Sequence, residues 1–98
     1  MRELEILNEI KEKYKNILEI KYVVGSFARG DFNKESDIDI IYSLNPDFLI
    51  NKDVFEIFNI LASVKQELEQ QLKRKVDFID ESSLNNIAKK YMKDKIYV

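Results

Sequence analysis

The chain has 98 residues, 45% of them apolar and 35% charged, with a formal net charge of −2. That length supports one hydrophobic core but not two, and the composition is globular rather than disordered. There is no cysteine and no histidine. Disulfides, thiolate chemistry, zinc fingers and Ser-His or Cys-His triads are therefore excluded, and any bound metal must take oxygen ligands. The near-balanced charge provides no global basic field, so direct nucleic-acid binding is not expected. The opening stretch MRELEILNEIKEKYK has no apolar signal core and no later run approaches a membrane span. A cytoplasmic protein without membrane contact is the expectation.

Residues 2–18 place Leu4, Leu7, Ile10, Tyr14 and Leu18 at helical spacing, which predicts an amphipathic packing helix. Residues 20–25, IKYVVG, predict a buried strand that delivers Gly25 and Ser26 at its end. Phe27 to Gly30 read as a short helical turn, and GDFNKES at 30–36 as a polar loop. Residues 37–44, DIDIIYSL, form a second strand that Asn45-Pro46-Asp47 breaks. Phe48, Leu49 and Ile50 form a short apolar run in the loop at 45–52 that either tucks under the sheet, the favoured reading, or faces a partner. Residues 52–73 predict the longest helix, with Val54, Ile57, Phe58, Leu61, Val64, Leu68 and Leu72 as a long stripe that is either a wide core face or a contact surface for another chain. Lys73-Arg74-Lys75 ends it, where cations complement the helix dipole. KVDFID at 75–80 is a third strand, and Ser82 or Ser83 an N-cap for a last helix over 83–93. The tail from Lys95 to Val98 adds a short strand or meets a partner. The fold class is α/β: a small mixed sheet flanked by helices, in a single domain over 1–98.

The chemistry concentrates between Gly25 and Asp39, in GSFARGDFNKESDID. Asp37 and Asp39, two apart at the opening of a strand, point to one face, while Ile38 and Ile40 point into the core. Two adjacent like charges repel, so a fold that keeps them together usually supplies a cation. Mg2+ suits such oxygens and leaves its other positions to water and phosphates. The Gly25-Ser26 turn can present backbone N–H groups and a hydroxyl to those phosphates. Alone, Gly25 would be only a turn and Arg29 only a solvated cation. The downstream aspartates shift the balance toward a metal–triphosphate site. On the third strand, Asp77 and Ile79 face one way and Val76, Phe78 and Asp80 the other.

The pattern GS…RG…SDID resembles the signature of the DNA polymerase beta-like nucleotidyltransferase superfamily. In so short a chain it is most similar to the minimal nucleotidyltransferases, the MNT antitoxins of HEPN-domain toxins. The resemblance covers roughly Tyr22 to Asp80. It implies a polymerase beta-like fold and Asp37, Asp39 and Asp77 as catalytic carboxylates that hold two Mg2+ ions, with Asp80 the weaker candidate for the third. It implies that Gly25, Ser26 and Arg29 hold the triphosphate, with Ser36 beside them. It further implies ATP as donor and a HEPN-domain toxin as partner, silenced by AMP placed on a tyrosine. A non-catalytic toxin-binding module and a stand-alone transferase acting on a small molecule or RNA end remain open.

Overall fold

The computed structural model describes residues 2–31, 33, 35–86 and 92–98. Helix α1 runs over Arg2–Lys13, strand β1 over Leu18–Val24, a helical turn α2 over Ser26–Arg29 and strand β2 over Ile38–Leu44. A second turn α3 spans Pro46–Leu49, helix α4 Val54–Leu72, strand β3 Val76–Asp80 and strand β4 Ile96–Tyr97. The four strands form one mixed sheet in the order β3-β2-β1-β4. β2 is antiparallel to β1 and parallel to β3, and β4 is antiparallel to β1.

One face of the sheet carries the main core. Ile20, Val23, Ile38, Ile40, Tyr42 and Val76 meet Ile6, Leu7 and Ile10 of α1 and Val64, Leu68 and Leu72 of α4. Tyr42 and Phe78 stack at 4.2 Å on neighbouring strands. The opposite face is thinner: Tyr22, Val24 and Ile41 are buried there, with Ile79, Leu84 and Met92 against them. A β-bulge makes this division possible. Pairing moves from Ile20 opposite Tyr42 to Tyr22 opposite Ile41, leaving Lys21 as the extra residue. Strict alternation would put Ile20 and Tyr22 on one face; the bulge sends Ile20 to the helices and Tyr22 to the other side.

Several expected boundaries move. α1 stops at Lys13 rather than 18, because Leu18 already pairs with Leu44 as the first rung of β1. A full strand ladder satisfies more backbone there than one further helical turn. Asp37 lies outside β2, which starts at Ile38. The loop at 45–52 contains α3, with Pro46 in its first turn and the Asn45 side chain accepting from the Asp47 N–H at 3.0 Å. Leu49 and Ile50 do not tuck under the sheet but are 38% and 62% exposed.

α4 starts at Val54, capped by Asp53, whose carboxylate accepts from the Glu56 N–H at 2.8 Å. Only Val64, Leu68 and Leu72 of its expected stripe are buried, whereas Val54 and Phe58 are exposed. Length explains this. A 19-residue helix runs about 28 Å at 1.5 Å per residue, and a five-residue strand about 17 Å. The two elements share a tight junction at Lys73–Lys75, so the overhang falls on the first half of α4. At the other end of β3, Ser82 and Ser83 lie within a 3-10 turn over Glu81–Ser83, which Asp80 caps: its carboxylate accepts from the Ser82 N–H at 2.9 Å. Of the last helix expected over 83–93, residues 87–91 lie outside the described residues, while Leu84 and Asn85 are not helical. The tail does add a strand, β4.

Candidate active site

The thinner face of the sheet positions the acidic residues. Val24, Asp39 and Asp77 stand abreast on β1, β2 and β3, because Val24 pairs with Asp39 and Asp39 with Asp77. The next rung on that face is Tyr22, Ile41 and Ile79. Tyr97 lies beyond Tyr22 on β4, ring edge to face at 5.6 Å. A carboxylate pair therefore sits at the open end of an apolar and aromatic floor.

Gly25 follows Val24 with φ 76° and ψ −152°, a region essentially reserved for glycine. Its exposed Cα is where the Asp39 carboxylate packs. A Cβ at this position would overlap Asp39 Oδ2 and lie 3.3 Å from its Cγ. The glycine is thus required both by backbone conformation and by close approach. It turns the chain into α2, whose last residue, Arg29, faces the same cleft. Gly25, Arg29 and Asp39 line that cleft of about 310 Å³ together with Met92, Lys93 and Asp94. Arg29 Nε also pairs with Asp31 at 3.3 Å.

The electrostatics of the pair are those of crowded like charges. Asp39 has its pKa pushed up to about 6. Burial is the largest cause, followed by hydrogen bonding with Asp77 and repulsion from Asp77 and Asp37; Arg29 pulls the other way. A site that holds two carboxylates at that cost fits a divalent cation, since the cation removes the repulsion. Mg2+ is commonly bound through one or two carboxylates, and Asp39 and Asp77 fit that pattern. Among the described residues no group of three acidic side chains is gathered for a metal. Asp37 stays exposed at the rim, within electrostatic reach of Asp39.

The remaining expected residues divide. Ser26 opens α2 and is half-buried. Ser36 is engaged within its own loop, where its hydroxyl accepts from the Asn33 N–H at 2.8 Å. Asp80 is occupied by its cap on the Ser82 N–H. Sequence reasoning missed Met92, Lys93 and Asp94, which carry no motif and reach the cleft only through the path of the chain before β4.

Residues 4–98 match the model of the family described as nucleotidyltransferase domain. A protein of Methanocaldococcus jannaschii, provisionally named a protein adenylyltransferase, is 35% identical over 106 aligned positions that span 100% of both chains. A solved toxin–antitoxin complex with AMP-PNP superposes with a TM-score of 0.67 at 20% identity, covering 99% of this chain and 72% of that one. A Shewanella oneidensis complex of a tri-AMPylated HEPN toxin with an MNT antitoxin gives a TM-score of 0.58 at 19% identity, covering 97% of this chain and 66% of that one. At such identities the likeness to the solved structures is one of fold.

Proposed function

This chain belongs to the nucleotidyltransferase domain family, and from that premise we propose that it moves AMP from ATP to a hydroxyl, a tyrosine, of a HEPN-domain partner toxin. The observation that carries this reading is the Asp39–Asp77 pair, abreast on neighbouring strands, with the Asp39 carboxylate packed on Gly25 where a larger residue would be strained. Asp39 and Asp77, joined by Asp37 from the rim, would hold Mg2+, two ions in the full site. Bound there, Mg2+ supplies neutralising charge for the triphosphate and a lowered pKa for the acceptor hydroxyl.

The chain's own groups do the rest. Gly25, by having no side chain, leaves the approach to the Asp39 carboxylate open. Its N–H, the Ser26 hydroxyl and the Arg29 guanidinium bind the β- and γ-phosphates and orient the α-phosphorus toward the acceptor. The acceptor oxygen forms a bond to that phosphorus, the bond to the β-phosphate oxygen breaks, and pyrophosphate leaves. Asp77 takes the proton from the hydroxyl.

A protein acceptor is supported by the surface. Leu49, Ile50, Val54, Phe55 and Phe58 are all exposed within ten residues of chain, Phe55 at 79%. Concentrated exposed apolar side chains of this kind usually meet another protein. The provisional name of the M. jannaschii relative and the HEPN complex among the structural neighbours point the same way. The same patch also suits a module that blocks a toxin by contact alone, so that second reading is kept. Intact-mass measurement decides between them. The chain is mixed with ATP, Mg2+ and a HEPN-domain protein encoded beside it. One or more AMP additions to the partner, lost with Asp39→Ala, are expected. A stable, inhibitory complex without added mass would overturn transfer in favour of blocking.

A further inference from the structure

Asp37 precedes β2 and has no strand partner to fix it, yet the transfer reading, on which this inference rests, needs it beside Asp39. The turn before it is closed on itself. The Ser36 N–H donates to the Asn33 carbonyl at 3.1 Å, and the Glu35 N–H donates to the Asn33 side chain at 2.8 Å. What ties this turn to the domain comes from the far side of the fold. Arg74 Nη1 donates to the Asn33 carbonyl at 2.8 Å and to the Ser36 carbonyl at 3.2 Å. Its Nη2 lies 3.7 Å from a Glu3 carboxylate oxygen on α1, and the side chain is only 11% exposed. The Ser36 carbonyl belongs to the peptide unit that carries the Asp37 N–H, and that unit is planar. Holding this carbonyl therefore fixes where Asp37 leaves the turn. One residue on, the Ile38 N–H donates to the Lys75 carbonyl at 3.0 Å. The junction between α4 and β3 thus grips the chain on both sides of Asp37.

We propose that Arg74 is a positioning residue for the transfer site: its guanidinium pins the Asn33–Ser36 turn and so sets Asp37 at the rim, within electrostatic reach of Asp39. A basic residue at the end of a helix ordinarily complements the dipole, and lysine would serve that purpose equally. Two carbonyls and a carboxylate met from one planar group call for arginine. The residue acts through the backbone carbonyls of Asn33 and Ser36.

The test uses the full chain, metal-free and then titrated with Mg2+ alone, followed by amide hydrogen exchange and calorimetry. Arg74→Gln is expected to speed exchange at the Ser36 amide about tenfold, while amides within β2 and β3 keep their protection. It is also expected to weaken Mg2+ binding about 10- to 100-fold, the usual effect of losing a group that orients a metal ligand. Arg74→Lys should recover part of both effects, whereas Glu3→Gln, which removes only the ion pair, should leave both within about twofold of the parent. Arg74→Gln with Ser36 exchange and Mg2+ affinity within about twofold of the parent overturns the proposal. If Arg74→Gln does not fold, Arg74→Lys compared with Glu3→Gln carries the test, and parent-like behaviour of Arg74→Lys in both readouts overturns it. If the parent itself binds no Mg2+, the transfer reading fails, and the exchange readout alone still decides whether Arg74 pins the turn.

Discussion

The two faces of the sheet are built from the same strands and do opposite things. On the helix-covered face Ile20, Val23, Ile38, Ile40 and Val76 have no exposed surface. Each removes apolar area from water, the main favourable term in folding. On the other face the same strands carry Asp39 and Asp77, half-buried, mutually repelling and stabilised by nothing apolar. Ile38 and Asp39 are sequence neighbours with opposite energetic signs. Stability is therefore stored on one side and spent on the other, as expected where a site needs groups that the fold alone would reject.

Substitutions sharpen that contrast. The largest effect on chemistry is expected for Asp39→Ala, which should cut transfer to the partner by at least about 100-fold while leaving the chain folded, read by intact mass and circular dichroism. On the opposite face, Ile40→Ala should leave the site intact but cost about 2–5 kcal/mol in urea unfolding, the usual range for a buried Ile truncated to Ala. Gly25→Ala should injure both faces' functions at once. Its Cβ displaces the Asp39 carboxylate and is strained at the positive φ this position already has, so a lower melting temperature and loss of transfer are expected together.

A smaller effect, opposite in sign, is expected for Asp77→Asn. Asp39 has a folded pKa of about 6 against the ordinary 3.8, so between those values the folded state binds more protons than the unfolded one. Its contribution to stability is then present below the unfolded value and lost as pH rises through about 6. Removing the Asp77 charge should therefore raise the metal-free melting temperature at pH 7, with no gain under acid conditions where the Asp39 carboxyl is protonated. A melting temperature that falls at pH 7 would mean that the pair is not repulsive. The smallest effect is expected at the Lys15–Glu12 pair on α1, which lies in open solvent at 2.8 Å. Lys15→Ala should not move the unfolding midpoint measurably.

Much of this arrangement was legible in the residues. The α/β class followed from the order of helical and strand patterns, and the faces of Asp39 and Asp77 from alternation along DIDIIYSL and KVDFID; that the two faces meet came from the family resemblance, and the order of strands in the sheet came from the structure. Three features were not. The bulge at Lys21 adds a residue without any change in apolar pattern, so IKYVV reads as a continuous run. The overhang of α4 depends on the length of its neighbour β3, which no window over Val54 to Leu72 contains. Arg74 looked like a dipole-complementing cation because its partners, Asn33 and Ser36, are distant in sequence and contribute backbone rather than side chain. Asp37 showed the limit of pattern reading: alternation expected it on the strand with Asp39, but the ladder begins one residue later, at Ile38.

The division between the faces is tested most directly by a ¹H–¹⁵N NMR titration of the chain with Mg2+ and a non-hydrolysable ATP analogue. The account predicts that shifts concentrate at Gly25, Ser26, Arg29, Asp37, Asp39 and Asp77, with the amides of α1 and the second half of α4 unmoved, and that Asp39→Ala abolishes them. Shifts centred on the helix-covered face, or an unchanged map in Asp39→Ala, would contradict it.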